Sequence, residues 1–242
     1  MRGIVFSAMA AALLLGSAFD AMAHGIWIAQ RHGDLAIVYG HGASDEAYDP
    51  GKVAQVVGHL EDGTTAPAAT EDHGNHMLVT PPENAAVLTA TMDNGYWSEG
   101  PDGKWVNKPK SEVDGAKQGG RYLKHTVAIL DHSPLAAKAK GMTLEIVPDR
   151  DPSELSAGDE LGVTVLLGGK PLADTLVVQE YTTDSENKSV RTDAEGRASV
   201  TIRNNGLNVI AVSADEPSQE PEKADRVGHF ATLSFSVDRH AH

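Results

Sequence analysis

The sequence predicts an all-β protein of two domains, of which the C-terminal one is an Ig-like β-sandwich. In the second half of the chain, apolar residues recur at every second position, as they do in Leu161, Val163 and Val165. This period indicates half-buried strands. Turn-forming pairs, Gly-Gly at 168–169 and Asn-Gly at 205–206, separate the apolar runs at spacings that suit antiparallel hairpins. Five or more short strands within about ninety residues are typical of a small β-sandwich.

The first half is less regular, but it contains similar apolar runs between long polar stretches. The strands predicted over the whole chain are Ile26–Ala29, Leu35–Tyr39, Val53–Leu60, Met77–Thr80, Ala86–Met92, Tyr122–Leu130, Leu161–Leu167, Leu176–Tyr181, Ala198–Ile202, Leu207–Val212 and Phe230–Val237. The segment 94–118 is rich in turn formers and carries three aromatic residues, so we expect a structured loop there. An Ala/Lys run that ends at Gly141 predicts a boundary between a β domain at 24–138 and the sandwich at 142–238.

The N-terminal residues have the pattern of a secretory signal peptide. Arg2 precedes an apolar stretch from Ile4 to Leu15, and small residues occupy the positions Ala21 and Ala23. The apolar stretch is too short to cross a bilayer, although an uncleaved anchor is the alternative. We therefore expect residues 1–23 to be removed and the mature protein, beginning at His24, to be periplasmic.

The composition of the chain limits its partners and the side chains that can bind a metal or act as nucleophiles. The chain has a formal net charge of -14, and removal of one Arg and one Asp with residues 1–23 leaves that value unchanged. Nucleic acids and anionic lipids are therefore poor partners. The chain has no cysteine, which excludes thiolate metal sites and cysteine nucleophiles. Eleven histidines remain as the natural ligands for a divalent transition metal.

His24 is the leading candidate ligand because cleavage after Ala23 would make it the N-terminal residue. Its α-amino nitrogen and a ring nitrogen would then close a chelate around one ion. An α-amino group has a pKa near 8 in model peptides, so a metal can displace its proton at neutral pH. One further imidazole would suit copper, and two would suit nickel, cobalt or zinc. The alternative is that cleavage merely happens to fall before a histidine.

His41, His125 and His229 are the predicted partners of His24. His41 stands between two glycines after a predicted strand, where a side chain can project from a tight turn. His125 interrupts an apolar strand and His229 opens the final one, positions at which a histidine is more often packed than ligating. His73 and His76 have a spacing that could chelate a metal, although a polar hairpin loop is the simpler interpretation.

Several short motifs resemble a known protein family. They are Ala23-His24-Gly25-Ile26-Trp27-Ile28, Asn94-Gly95-Tyr96-Trp97, Gly103-Lys104-Trp105, Arg121-Tyr122-Leu123-Lys124, Gly169-Lys170-Pro171-Leu172-Ala173 and Thr192-Asp193-Ala194-Glu195-Gly196. The chain is similar over nearly its whole mature length to bacterial periplasmic components of nickel and cobalt uptake transporters, a group otherwise described as a conserved domain of unknown function. The resemblance implies two β-sandwich domains that bind a transition metal outside the inner membrane. His24 matches the family's position after the signal, whereas His125 does not match its pattern.

These observations favour a periplasmic, non-enzymatic protein that binds nickel, cobalt or copper and passes it to an inner-membrane transporter. Two other classes of function remain open. An N-terminal histidine paired with a second histidine also resembles the copper site of enzymes that cleave polysaccharides oxidatively, and Trp97 and Trp105 could face a sugar. A sandwich without metal could instead serve an adhesive or structural role.

Overall fold

A computed structural model describes residues 24–237, and within that range the predicted all-β fold is confirmed. The strands are β1 (Gly25–Arg31), β2 (Asp34–Gly40), β3 (Val53–Leu60), β4 (Thr65–Pro67), β5 (Ala69–Asp72), β6 (Met77–Thr80), β7 (Ala85–Glu99), β8 (Trp105–Val106), β9 (Gln118–Ile129), β10 (Leu144–Pro148), β11 (Glu160–Leu167), β12 (Lys170–Pro171), β13 (Leu176–Val178), β14 (Ser189–Arg191), β15 (Arg197–Thr201), β16 (Gly206–Pro217) and β17 (Arg226–Val237). Single turns of 3₁₀ helix occur at Pro50–Lys52, Lys110–Glu112 and Pro152–Glu154. Within residues 24–237, no helix has the length and hydrophobicity that crossing a bilayer requires.

The central element is a nine-stranded sheet in the order β14-β13-β16-β17-β9-β7-β3-β4, with β8 paired to β7. β9 and β17 run parallel and place Phe230 beside Lys124, whereas the other pairs described in this sheet are antiparallel. Strands from both sides of the predicted boundary near 136–141 therefore share one sheet. The boundary falls in the connection between β9 and β10, and the two-domain division stays a prediction.

Two smaller sheets cover the faces of the central one. The sheet β1-β2-β6-β5 packs on one face, and the sheet of β10, β11, β12 and β15 packs on the other. Successive residues of β7 belong to hydrophobic cores on opposite faces of the central sheet. Leu88 belongs to the core that contains Ile26 and Ile37, whereas Val87 belongs to the core that contains Leu144 and Val163. A strand buried on both faces has a nearly continuous apolar sequence, which explains the run at 86–90.

The segment 94–118 differs from the predicted loop. β7 continues through it as far as Glu99, and its pairing with β9 shifts register between Asp93 and Tyr96. Gly95, at φ +80°, provides the left-handed backbone conformation at this bulge. The loop proper is limited to residues 100–117, which contain β8 and one 3₁₀ turn.

Candidate functional site

His24 lies directly before β1 and is buried, with 8% of its surface exposed. Its Nε2 atom is 2.9 Å from Oε1 of Glu46, and its ring stacks on Tyr39 at a centroid distance of 5.1 Å. The β1–β2 hairpin explains this placement, because its register pairs Gly25 with Gly40. The start of β1 therefore lies beside the residues that follow β2.

His41 is the first of those residues, and it is exposed. Its ring centroid lies 6.5 Å from that of His24 and 5.7 Å from that of Tyr181. Ser44 closes the turn: its Oγ accepts a hydrogen bond from the His41 backbone at 2.7 Å and donates one to Oε1 of Glu46 at 3.0 Å. The hydrogen bond from His24 is the main reason that the pKa of the Glu46 carboxyl is lowered. His24, His41 and Glu46 thus form one polar cluster.

His125 and His229 form a second pair in the interior, where each is less than 5% exposed. Their rings stack at 5.5 Å, and Nε2 of His125 lies 3.2 Å from Nδ1 of His229. Nε2 of His229 is 3.3 Å from Oε2 of Glu216. Burial lowers the pKa of His125 to about 4, with smaller contributions from His229 and Lys124, and burial also lowers the pKa of His229.

The two histidine pairs lie on opposite faces of the central sheet. Consecutive side chains of a strand point to opposite faces, so His229 and Phe230 face away from each other. Phe230 contacts Tyr181, which in turn contacts His41, so the first pair lies on the Phe230 face. The predicted set of His24, His41, His229 and His125 therefore does not converge on one point. Within residues 24–237, no group of three or more histidine and carboxylate side chains is arranged to hold a metal ion.

Four further histidines lie in a hairpin or in the last residues of the sequence. His73 and His76 lie at the end of the β5–β6 hairpin, as the simpler interpretation predicted, with ring centroids 5.1 Å apart. Nε2 of His73 is 3.0 Å from Oε1 of the exposed Glu71. His240 and His242, like the predicted signal peptide, lie outside the described residues.

Sequence reasoning missed a cavity of about 540 Å³ on the Phe230 face of the central sheet. Lys124 lines it and is only 1% exposed. The Lys124 Nζ atom lies 5.4 Å from the ring centroid of Phe230 and 6.0 Å from that of Tyr122. Burial lowers the pKa of Lys124 to about 7. Nothing in the sequence indicated this burial, because alternation alone would place a lysine of β9 toward solvent.

The fold and the site together define a class: an all-β protein of three packed sheets with a histidine–carboxylate cluster at the start of its first strand. Residues 21–216 match the domain of unknown function DUF4198, and the chain belongs to that family.

A more distant relative is an uncharacterized protein of Haemophilus influenzae (strain ATCC 51907 / DSM 11121 / KW20 / Rd). It is 26% identical over 154 residues, which cover 63% of this chain and 65% of that protein. The chain thus spans slightly less than two thirds of this relative's length. No solved structure matches the chain.

Proposed function

We propose that this protein is an exported transition-metal-binding protein that holds a divalent nickel, cobalt or copper ion between His24 and His41 for delivery to an inner-membrane transporter. The observation that supports this most directly is the pairing of the two rings, with centroids 6.5 Å apart and Glu46 attached to Nε2 of His24. This proposal reduces the histidine set predicted from the sequence to its two members on one face.

The distance between the rings suits two imidazoles that bind one ion from opposite sides. A metal–nitrogen bond of about 2 Å on each side would place the two centroids roughly 6 Å apart. Small rotations of the exposed His41 ring could therefore complete this arrangement without moving the strands. The flanking Gly40 and Gly42 form a tight turn in which a Cβ atom at Gly40 would lie 2.3 Å from the backbone oxygen of Ser44.

The third ligand in the proposal is the α-amino group that signal cleavage would create. Nδ1 of His24 is the ring nitrogen that closes a six-membered chelate with that amine, since Nε2 points to Glu46. A carboxylate on the other ring nitrogen fixes the orientation of a ligating imidazole and increases its basicity. Because the amine is a ligand, the side chains alone need not form a complete site.

Calorimetry with Ni(II) and Cu(II) on protein that begins at His24 tests this proposal. Acetylation of the α-amino group removes the amine chelate and keeps every side chain, so we expect an affinity loss of at least about tenfold. His41→Ala should produce a loss of the same order. His73→Ala is the matched control, because it removes one histidine of the other exposed pair and should leave the affinity unchanged.

The opposite pattern, in which only His73→Ala weakens binding, would move the site to the β5–β6 hairpin. Absence of binding in every form would leave a metal-free module as the better interpretation. A copper enzyme would use the same two histidines, so metal binding does not distinguish it from a metal-delivery protein. An assay of catalytic activity does. Our proposal expects no oxidant-dependent cleavage of polysaccharide by the copper-loaded protein.

A further inference from the structure

We propose that the cavity beside Lys124 is a binding site for a small organic monocarboxylate with an apolar or aromatic body. The carboxylate would pair with the Lys124 ammonium group, and the apolar body would lie against the walls. This inference concerns an organic ligand and rests on Lys124 rather than on the proposed metal ligands, although His41 also lines the cavity.

Lys124 has no counter-ion within the described part of the chain. Its side chain is one of the largest fully buried groups, yet between residues 24 and 237 it takes part in no hydrogen bond or salt bridge. Its ammonium group lies over the rings of Tyr122 and Phe230. Aromatic faces attract a cation only weakly, whereas a buried ammonium group normally requires a partner of opposite charge. A ligand carboxylate would supply that partner.

The cavity is formed where β1 ceases to cover one face of the central sheet. Lys124 of β9, Phe230 of β17 and Ser213 of β16 form one row across the central sheet. In the next row, Thr232 donates a hydrogen bond to the backbone oxygen of Ile26, so β1 covers the sheet there. β1 begins at Gly25, whose missing Cβ would lie 2.6 Å from the Phe230 ring. The cavity lies where this cover ends, and the sheet itself forms its floor.

The walls of the cavity are largely apolar. Val178, Ala211, Tyr181 and Phe230 line the cavity together with Leu176. Leu176 is 49% exposed and forms part of the rim of the cavity. Small-molecule sites typically combine such walls with one or two polar groups in a volume of roughly 300–1,000 Å³. The size and the lining of this cavity fit that description.

The charge around the cavity favours a single negative charge on the ligand. Lys124 is the one lysine or arginine among the described residues that line the cavity. His41, His229 and the carboxylate of Asp215 also line it, and Oδ2 of Asp215 lies 3.6 Å from Nε of Arg226. A phosphate or dicarboxylate would bring a second negative charge toward Asp215. The apolar walls would leave that charge without a partner. A monocarboxylate avoids both costs.

The test compares three probes that share one apolar body: 3-phenylpropionate, 3-phenylpropan-1-ol and 3-phenylpropylamine. Calorimetry on the metal-free protein in the presence of EDTA keeps the result independent of the metal proposal. We expect the carboxylate to bind at least about tenfold more tightly than the alcohol, since a charge-assisted hydrogen bond contributes roughly that factor. The amine should bind more weakly still.

Lys124→Met removes the ammonium group and keeps the length of the side chain, so it should abolish the preference for the carboxylate. Lys104→Met, at a position where the lysine side chain is 83% exposed, makes the same change of net charge and should leave binding unchanged. Leu176→Glu changes an exposed rim residue without disturbing the core and should weaken carboxylate binding severalfold through repulsion. Equal affinity for the three probes, or unchanged carboxylate binding in a folded Lys124→Met protein, would overturn the proposal.

Discussion

The imidazole rings of His125 and His229 stack in the interior, with Nε2 of one 3.2 Å from Nδ1 of the other. A hydrogen bond between two imidazole nitrogens requires one donor and one acceptor, so at least one ring must be neutral. Burial disfavours the charged form of both rings. The pair is therefore neutral at pH 7 and resists protonation.

This pair should make the protein sensitive to acid. The pKa of His125 is about 4 in the folded protein, below its ordinary value of 6.5, so the unfolded chain binds the proton first. The corresponding stability is present above pH 6.5 and is lost as the pH falls toward 4. The shift predicts a decrease of about 3 kcal/mol in the free energy of unfolding. Urea denaturation between pH 7 and pH 4, with EDTA present, measures this decrease.

The matched variants for that experiment are His125→Gln and His132→Gln. Glutamine at 125 can still hydrogen-bond to His229 but does not titrate, so the decline of stability between pH 6.5 and pH 4 should become shallower. His132 lies on the surface with its side chain 62% exposed, and its replacement should leave the decline as it was. Identical pH profiles for the wild-type and His125→Gln proteins would contradict the explanation.

Lys124→Met should stabilise the ligand-free protein at neutral pH. The pKa of Lys124 is about 7 in the folded protein, against an ordinary value of 10.5, so between these values the unfolded chain binds more protons. The free energy of unfolding of the wild type should therefore rise from pH 7 toward pH 10. The variant lacks the cost of the buried charge and should be more stable at pH 7 by as much as about 4 kcal/mol.

Thermal and urea unfolding at pH 7 and pH 9.5 measure this effect, and the gain in Lys124→Met should be smaller at the higher pH. Lys104→Met serves as the surface control and should change stability by less than about 0.5 kcal/mol at either pH. A Lys124→Met protein that is less stable than the wild type at pH 7 would show that the lysine has a stabilising partner.

Glu46→Gln should weaken metal binding without unfolding the protein. The Glu46 side chain is 47% exposed, so its contribution to the stability of the fold is small, but it pairs with Nε2 of His24. Loss of such an outer carboxylate typically reduces metal affinity by about ten- to a hundredfold. Asp45→Asn is the control, because it removes a neighbouring charge that pairs with Arg31 instead. Calorimetry with Ni(II) should separate the two variants, and equal losses would indicate an effect of net charge alone.

Residues 142–238 expressed alone should not behave as a stable monomer. In the whole chain, β17 pairs on one side with β9, which the fragment lacks. The fragment would expose the backbone groups of β17 along this edge, and open edges of this kind associate with other chains. Light scattering should detect dimers or larger species, whereas the chain from His24 onwards serves as the reference. A monomeric fragment with a cooperative melt would instead support the domain boundary predicted near 136–141.

The proximity of His24 to His41 was largely accessible from the sequence. Both residues flank predicted strands that follow each other in the chain, and antiparallel pairing of such neighbours brings the start of β1 beside the end of β2. The stacking of His125 on His229 was not accessible in this way. It depends on parallel pairing of β9 with β17, which lie about a hundred residues apart in the chain. Local patterns contain no information about such a pairing.

The sequence by itself determined the all-β class, most of the longer strands and the exclusion of thiolate chemistry by the lack of cysteine. It did not indicate β10 or the extension of β7 to Glu99. Alternation with a period of two is a local property, so it identifies a strand without naming its partners. Only the tertiary structure decided that β7, β9 and β17 are covered on both faces. Because the sheet is covered on both faces, Lys124 lies inside the protein. The predicted histidines are separated into two pairs, because successive side chains of a strand point to opposite faces of the sheet.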